Sequence, residues 1–170
     1  MFEKKEKERI NNNLKNQMFT PPNFAAHSAL HKITKIMARI FQLYDKLKIE
    51  STIEIPKSNQ KLSKTLKNLY VMNLNDETLI LAFYFVDQIT KKLRIFLNLE
   101  NSTGLLIGSI IIADKILNDQ PRNIEKYKLA SGLKKEQLIQ IETYFLETLD
   151  YNLFVSEENF QNYYKRVQDY

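Results

Sequence analysis

The segment from Gly104 to Asp119, GLLIGSIIIADKILND, is apolar on almost every side of a helix, a property that no other stretch of this length shares. A helix of this kind belongs in the middle of a domain, where other helices cover it all round. Its sixteen residues extend for about 24 Å, the diameter of a small domain. The sequence therefore predicts a bundle built around this segment.

Two charged residues, Asp114 and Lys115, interrupt the apolar segment. A lysine among apolar neighbours is costly unless its ammonium meets an acceptor or reaches solvent at a rim. Glu142 is the candidate acceptor, because it lies beside the apolar stripe of a later predicted helix. The alternative is that Lys115 simply extends into solvent at the end of its own helix. We interpret Asp114 and Asp119 as rim and turn residues rather than as a catalytic carboxylate pair.

Composition narrows the class of protein. The 170 residues are 44% hydrophobic and contain no cysteine, which predicts one globular domain without disulfides or thiolate metal sites.

No secretory signal is expected from the mixed charges of the N-terminus, and no membrane span from the interrupted apolar runs. Residues 1–67 carry 14 Lys+Arg against 6 Asp+Glu. These charges alternate with apolar residues at helical spacing, which favours a solvated helix face over a nucleic-acid site.

Every long apolar pattern has a period near 3.6, and the few glycines and prolines fall between patterns, so we predict an all-helical fold. Residues 1–22 are predicted to form a mobile arm, 23–50 an N-terminal helix at about 25–47, and 51–170 the main bundle with a C-terminal helix. Further helices are predicted at 58–72 with Ser58 as an N-cap, after a cap at Asn75 or Asp76, at 123–130 and 134–149, and from Ser156. Residues 50–56 are interpreted as an extended linker. His27 and His31 lie one turn apart but lack a third ligand, which disfavours a metal site.

Three segments of the chain resemble successive helices of the cyclin box. These segments are LILAFYFVDQI, GLLIGSIIIADKILND and YKLASGLKKEQLIQIETYFLETLDYNLFVSEENFQNYY. The resemblance covers about residues 30–167 and is to the P-type and U-type cyclins, the phosphate-regulation-like group with a single box. Lys115 and Glu142 fall at the characteristic lysine and glutamate of that family. Asp87 matches the aspartate of the family's Asp-Arg pair, whereas Gln88 departs from it.

The resemblance implies a cyclin-box five-helix bundle around residues 104–119, with an extra N-terminal helix. It implies a regulatory subunit, and no enzyme, that binds and activates a cyclin-dependent serine/threonine protein kinase by moving the kinase's regulatory helix. Lys115 and Glu142 would lie at the kinase-facing surface, and Asp87 and Asp119 are further candidate kinase-binding residues. No catalytic residue, metal, cofactor or small-molecule substrate is expected, and the expected location is the nucleus, the cytoplasm or both.

Two other functional classes of protein remain as alternatives. One is a cyclin-fold scaffold subunit that does not activate a kinase, which the presence of both Lys115 and Glu142 disfavours. The other is a nucleic-acid-binding, transcription-factor-like cyclin fold, which the pI of about 9.2 favours but the mixed charges and the single box disfavour. The substrate-docking motif of cell-cycle cyclins has no counterpart in Leu62-Ser63-Lys64-Thr65-Leu66, so recruitment of substrates through that patch is not supported.

Overall fold

The computed structural model describes residues 28–47 and 55–170. These residues contain seven α-helices and no strand. In chain order they are α1 (Ala29–Leu47), α2 (Leu62–Val71), α3 (Asp76–Leu93), α4 (Ser102–Leu117), α5 (Ile124–Ser131), α6 (Lys135–Thr148) and α7 (Glu157–Gln168). The predicted all-helical fold is confirmed: α2 to α6 form a five-helix bundle, and α1 is the additional N-terminal helix. Among these helices, none is long and apolar enough to cross a membrane. The predicted arm at 1–22, His27 and most of the predicted linker lie outside the described residues.

Helix α4 forms the centre of the bundle, as its sequence predicts. All of its residues from Ser102 to Asp114 are buried. It packs against α3 along much of its length and also contacts α2, α5 and α6. The four neighbours together surround the helix, which explains why its sequence has no polar face.

Helices α1 and α7 pack against each other and against α3. Ile33 and Met37 of α1 are buried, and so is Val167 of α7. The ammonium of Lys32 donates hydrogen bonds to the backbone carbonyl of Gln168 and, at 2.7 Å, to its side-chain oxygen. The two ends of the described chain are thereby joined on one side of the bundle.

Most helix ends lie where local sequence signals place them. The side-chain oxygens of Asn75, Asn123 and Ser156 each accept a hydrogen bond from a backbone N–H two or three residues later, which caps α3, α5 and α7. Gly132 ends α5 with φ of 71°, a conformation that glycine adopts without strain.

The predicted N-cap at Ser58 is wrong, because α2 begins only at Leu62. The hydroxyl of Ser58 instead donates to the backbone carbonyl of Ser131 at 2.5 Å and accepts from the N–H of Gln60. This serine therefore joins the segment before α2 to the end of α5. The helical apolar pattern of residues 58–72 also includes Tyr70, but this side chain is 46% exposed.

Candidate functional site

Lys115 and Glu142 form an ion pair at the surface where α4 meets α6. The Nζ of Lys115 donates a hydrogen bond to Oε1 of Glu142 at 2.5 Å. The lysine side chain is 53% exposed, whereas the glutamate side chain is only 15% exposed. The pair thus lies at the rim of the bundle, with the carboxylate largely covered and the ammonium in solvent. From the sequence, Lys115 could either meet an acceptor or extend into solvent. In the structure the Lys115 side chain does both.

A close approach between α4 and α6 brings the two charges together. Gly108 lies two helical turns before Lys115 and therefore faces the same side of α4. A Cβ atom at Gly108 would lie 2.5 Å from Ile141 and 2.6 Å from Phe145, so only glycine fits there. Because Ile141 and Phe145 flank Glu142 in α6, their packing at Gly108 also holds Glu142 within reach of Lys115.

Exposed apolar side chains lie close to the ion pair along α4 and α6. Ile116 and Leu117 directly follow Lys115 at the end of α4, and both are exposed. Ile139 is exposed three residues before Glu142, a spacing that places both on one face of α6. Aliphatic residues around a charged pair are typical of protein–protein interfaces. We call Lys115, Ile116, Leu117, Ile139 and Glu142 the docking surface.

The connection from α6 to α7 presents two further exposed aromatic residues, Tyr151 and Phe154. Asp150 and Tyr151 have φ of 52° and 55°, so the chain turns sharply directly after α6. The carboxylate of Asp150 forms an ion pair with Lys92 of α3, which fixes the start of this turn. The connection therefore adds exposed apolar area at the C-terminal end of α6.

Asp114 is fully buried beside the exposed Lys115, so the interpretation of Asp114 as a rim residue is wrong. Its carboxylate accepts hydrogen bonds from the hydroxyl of Tyr127 at 2.7 Å and from the side-chain amide of Asn118 at 2.8 Å. It also accepts from the backbone N–H of Arg122 at 2.6 Å and from its guanidinium at 2.7 Å. Four donors satisfy the buried carboxylate and join the last turn of α4 to α5. The network therefore holds in place the turn that carries Lys115.

The hydrogen-bond donors also set the ionisation of Asp114. Burial opposes the charged form, but the hydrogen bonds from Tyr127 and Arg122 together outweigh it, so the pKa of Asp114 lies below its ordinary value. Burial and the neighbouring carboxylate raise the pKa of Tyr127. One sequence signal could have revealed this burial: Asp114 lies four and seven residues after Ile110 and Ile107, on a fully buried stripe.

We expect Asp114 to make the protein less stable in acid. Because the pKa is lowered on folding, the carboxylate stabilises the folded state above its unfolded pKa of about 3.9, and this contribution is lost as the pH falls through the folded pKa. The melting temperature of Asp114→Asn should therefore change less than that of the unmodified chain between about pH 6 and about pH 3. Thermal melting across this range is the measurement, with Asp119→Asn as the exposed control. Equal pH dependence in Asp114→Asn and the unmodified chain would contradict the assignment.

The structure does not bring Asp87 to the docking surface. The start of α3 meets the end of α4, where Asn118 donates to the hydroxyl of Thr78 at 3.4 Å. Asp87 lies about 13 Å further along α3. Its carboxylate accepts from Lys91 at 2.6 Å, and burial together with this carboxylate raises the pKa of Tyr163 in α7.

Asp119 is exposed in the turn after α4, and within the described ranges it forms no ion pair. It lies near Lys115 in the chain but takes no part in the pair with Glu142. Kinase binding by Asp87 and Asp119 stays a prediction. His31 is half-buried in α1, and among the described residues no group of three or more potential ligands could hold a metal ion.

The chain is similar to known proteins over most of its length. The family model for the cyclin N-terminal domain matches residues 44–154, which contain α2 to α6 and both members of the ion pair. Cyclin-U4-3 of Arabidopsis thaliana is 25% identical over 142 residues, which cover 80% of this chain and 65% of the relative. The chain therefore spans just under two thirds of the length of that curated relative, and the resemblance to U-type cyclins is confirmed. Since the family model covers well over half of the residues, including the whole five-helix bundle, the chain belongs to the cyclin family and carries one cyclin box.

Proposed function

We propose that this chain is a regulatory subunit that binds and activates a cyclin-dependent serine/threonine protein kinase through the docking surface. A regulatory role follows from membership of the cyclin family. The observation that carries the finer proposal is the ion pair of Lys115 and Glu142, at the rim of the bundle among exposed aliphatic residues. Lys115 and Glu142, the characteristic lysine and glutamate of the family resemblance, thus lie together at one edge of the bundle, with the Lys115 ammonium open to a partner.

The docking surface suits a partner that covers it with a helix. Ile116, Leu117 and Ile139 lose exposed apolar area when covered, and each Å² contributes about 25 cal/mol to association. Exclusion of water also strengthens the electrostatic interaction of Lys115 with Glu142 and with polar groups of the partner. By the family resemblance, the partner element is the regulatory helix of the kinase. Its inward rotation on docking completes the kinase's own Lys-Glu pair and orders the activation loop.

Alanine variants at the ion pair separate binding from folding. We expect Lys115→Ala and Glu142→Ala each to lower the free energy of unfolding by about 1 kcal/mol or less, because the pair is at the rim. Affinity for the kinase should fall by about tenfold or more, because docking leaves the remaining charge unpaired and without water. The measurements are thermal melting of each variant alone and titration against the kinase that co-purifies with the full chain, with kinase activity as a second readout.

The matched control is the ion pair of Lys57 and Glu100, whose atoms are 2.7 Å apart and whose side chains are both exposed. Glu100 precedes α4, so this pair lies about 20 Å from Lys115 along the helix. Lys57→Ala should leave both kinase affinity and activation unchanged. Folded Lys115→Ala and Glu142→Ala variants that bind and activate the kinase normally would refute the proposal. Binding to this surface without activation would favour a scaffold subunit.

A further inference from the structure

Helices α2 and α5 lie side by side and run in opposite directions. The side-chain amide of Gln60, just before α2, donates to the backbone carbonyl of Ala130, near the end of α5, at 2.6 Å. The guanidinium of Arg122, just before α5, donates to the backbone carbonyl of Asn73, just after α2, at 3.1 Å. Each helix therefore has its end beside the start of the other, and their solvent-facing sides are adjacent.

The solvent-facing sides of the two helices carry lysines and aliphatic residues. In α2 the buried residues are Leu62, Thr65, Leu66 and Leu69. Lys64, Lys67 and Val71 project from the opposite side, at spacings of three and four. In α5, Leu129 lies opposite the buried Tyr127, Ala130 and Ser131, and Lys126, about one turn before Leu129, is also exposed. We call Lys64, Lys67, Val71, Lys126 and Leu129 the α2–α5 face.

The α2–α5 face has uncompensated positive charge and exposed apolar groups. Within the described part of the chain, none of its three lysines forms an ion pair, whereas the nearby Glu125 pairs with Lys128 at 2.5 Å. Val71 is 81% exposed and Leu129 is 75% exposed, values that are high for aliphatic side chains of a folded domain. The face thus combines a charge that attracts anions with two apolar anchors.

From this combination we propose that the α2–α5 face binds an acidic segment of a partner protein, one that carries apolar side chains among its carboxylates. Carboxylates of such a segment complement Lys64, Lys67 and Lys126, and its apolar side chains cover Val71 and Leu129. The proposal goes beyond kinase activation, because this face shares no residue with the docking surface. A partner held here can remain bound while a kinase occupies the docking surface.

The chemistry of the face favours a protein segment over other anions. Single-stranded nucleic acids are held by aromatic side chains that stack on bases, whereas the anchors here are aliphatic. Lipid-binding clusters usually carry roughly four to eight basic residues, and this face has three lysines. Two exposed aliphatic anchors bordered by lysines instead match an acidic chain that carries apolar residues among its carboxylates.

Fluorescence anisotropy with a designed peptide tests the proposal on the purified full chain. The probe is a short labelled peptide with leucines spaced among glutamates, and the control peptide has glutamines in place of the glutamates. We expect the acidic peptide to bind the unmodified chain, more weakly as salt rises, and Lys64→Glu/Lys67→Glu to weaken it roughly tenfold or more. Val71→Ser/Leu129→Ser should weaken binding by roughly fivefold at the same salt.

The matched control variant is Lys165→Glu/Arg166→Glu. Both residues are exposed on α7, which packs on α1 and α3 and, among the described helices, contacts neither α2 nor α5. This variant has the same charge change and should bind the acidic peptide like the unmodified chain. Circular dichroism establishes that all variants fold.

Several results would overturn the proposal. These are failure of the acidic peptide to bind, equal binding of the glutamine peptide, and equal weakening in the α7 variant. Tighter binding of a single-stranded oligonucleotide, or of vesicles containing phosphatidylserine, that is lost in Lys64→Glu/Lys67→Glu would assign the face to that ligand instead. None of these results bears on whether Lys115 and Glu142 bind a kinase.

Discussion

Replacement of Asp114 by alanine is expected to lower the free energy of unfolding by about 3 to 5 kcal/mol. The carboxylate is fully buried. It accepts hydrogen bonds from Tyr127, from Asn118, and from both the backbone N–H and the guanidinium of Arg122. Alanine leaves the hydroxyl of Tyr127 and the guanidinium of Arg122 without their shared acceptor, and it also leaves a cavity at the end of α4. A loss of this size is a large part of the stability of an ordinary domain.

Denaturant unfolding of a short series of variants measures this effect. Tyr127→Phe removes one donor and should cost about 1 to 2 kcal/mol, because the carboxylate keeps its other partners. Asp119→Ala changes an exposed carboxylate nearby and should cost within about 0.5 kcal/mol. If Asp114→Ala unfolds at the same denaturant concentration as Asp119→Ala, the network contributes little to the fold.

Gly108→Leu is expected to cost about 3 kcal/mol or more, because its Cβ alone would already lie 2.5 Å from Ile141 and 2.6 Å from Phe145. The added side chain has to push α6 away from α4. Since Glu142 lies between these two residues in α6, the same movement should separate it from Lys115. Kinase affinity should therefore fall even in molecules that remain folded.

A second substitution that makes room should restore part of the stability. Phe145→Ala alone is expected to cost about 3 to 5 kcal/mol, because it empties a fully buried site. Combined with Gly108→Leu, the total loss should be smaller than the sum of the single losses by about 1 to 3 kcal/mol, because leucine fills the space left by the ring.

Val167→Ala provides the control for this double-mutant cycle. Val167 is also buried, but it lies in α7, which does not pack against α4 among the described helices. The decreases in the free energy of unfolding caused by Val167→Ala and by Gly108→Leu should add within about 0.5 kcal/mol. Equal additivity for Phe145→Ala would show that Gly108 does not set the approach of α6 to α4.

Features that depend on nearby residues could be predicted from the sequence. Asn75, Asn123 and Ser156 cap their helices because the groups they satisfy lie two or three residues away. The central position of α4 follows from its own composition, since a helix without a polar face has to be covered. The pairing of Lys115 with Glu142 was also predictable, because each charge lies beside apolar residues and needs a partner.

Features that depend on which segments meet in the folded chain could not be predicted in this way. Ser58 precedes an apolar pattern and was expected to cap it, but its hydroxyl bonds to Ser131, which is distant in sequence. Asp114 was expected at the rim because a buried carboxylate is costly without donors. Its spacing from Ile107 and Ile110 indicates a buried stripe, but its donors come from the turn and short helix that follow α4, and no periodic pattern reveals how that turn folds. The role of Gly108 is equally invisible, since it depends on which side chains of α6 meet it.

Asp114 and Lys115 are neighbours in the chain, yet one helical step of about 100° turns the first into the core and the second into solvent. Substitutions at the two positions are therefore expected to have different effects on the protein. On the proposed function, a change at Lys115 affects partner binding while the bundle persists, because its side chain lies at the rim. A change at Asp114 is expected to destabilise the bundle itself, and every interaction that needs the folded chain would weaken with it.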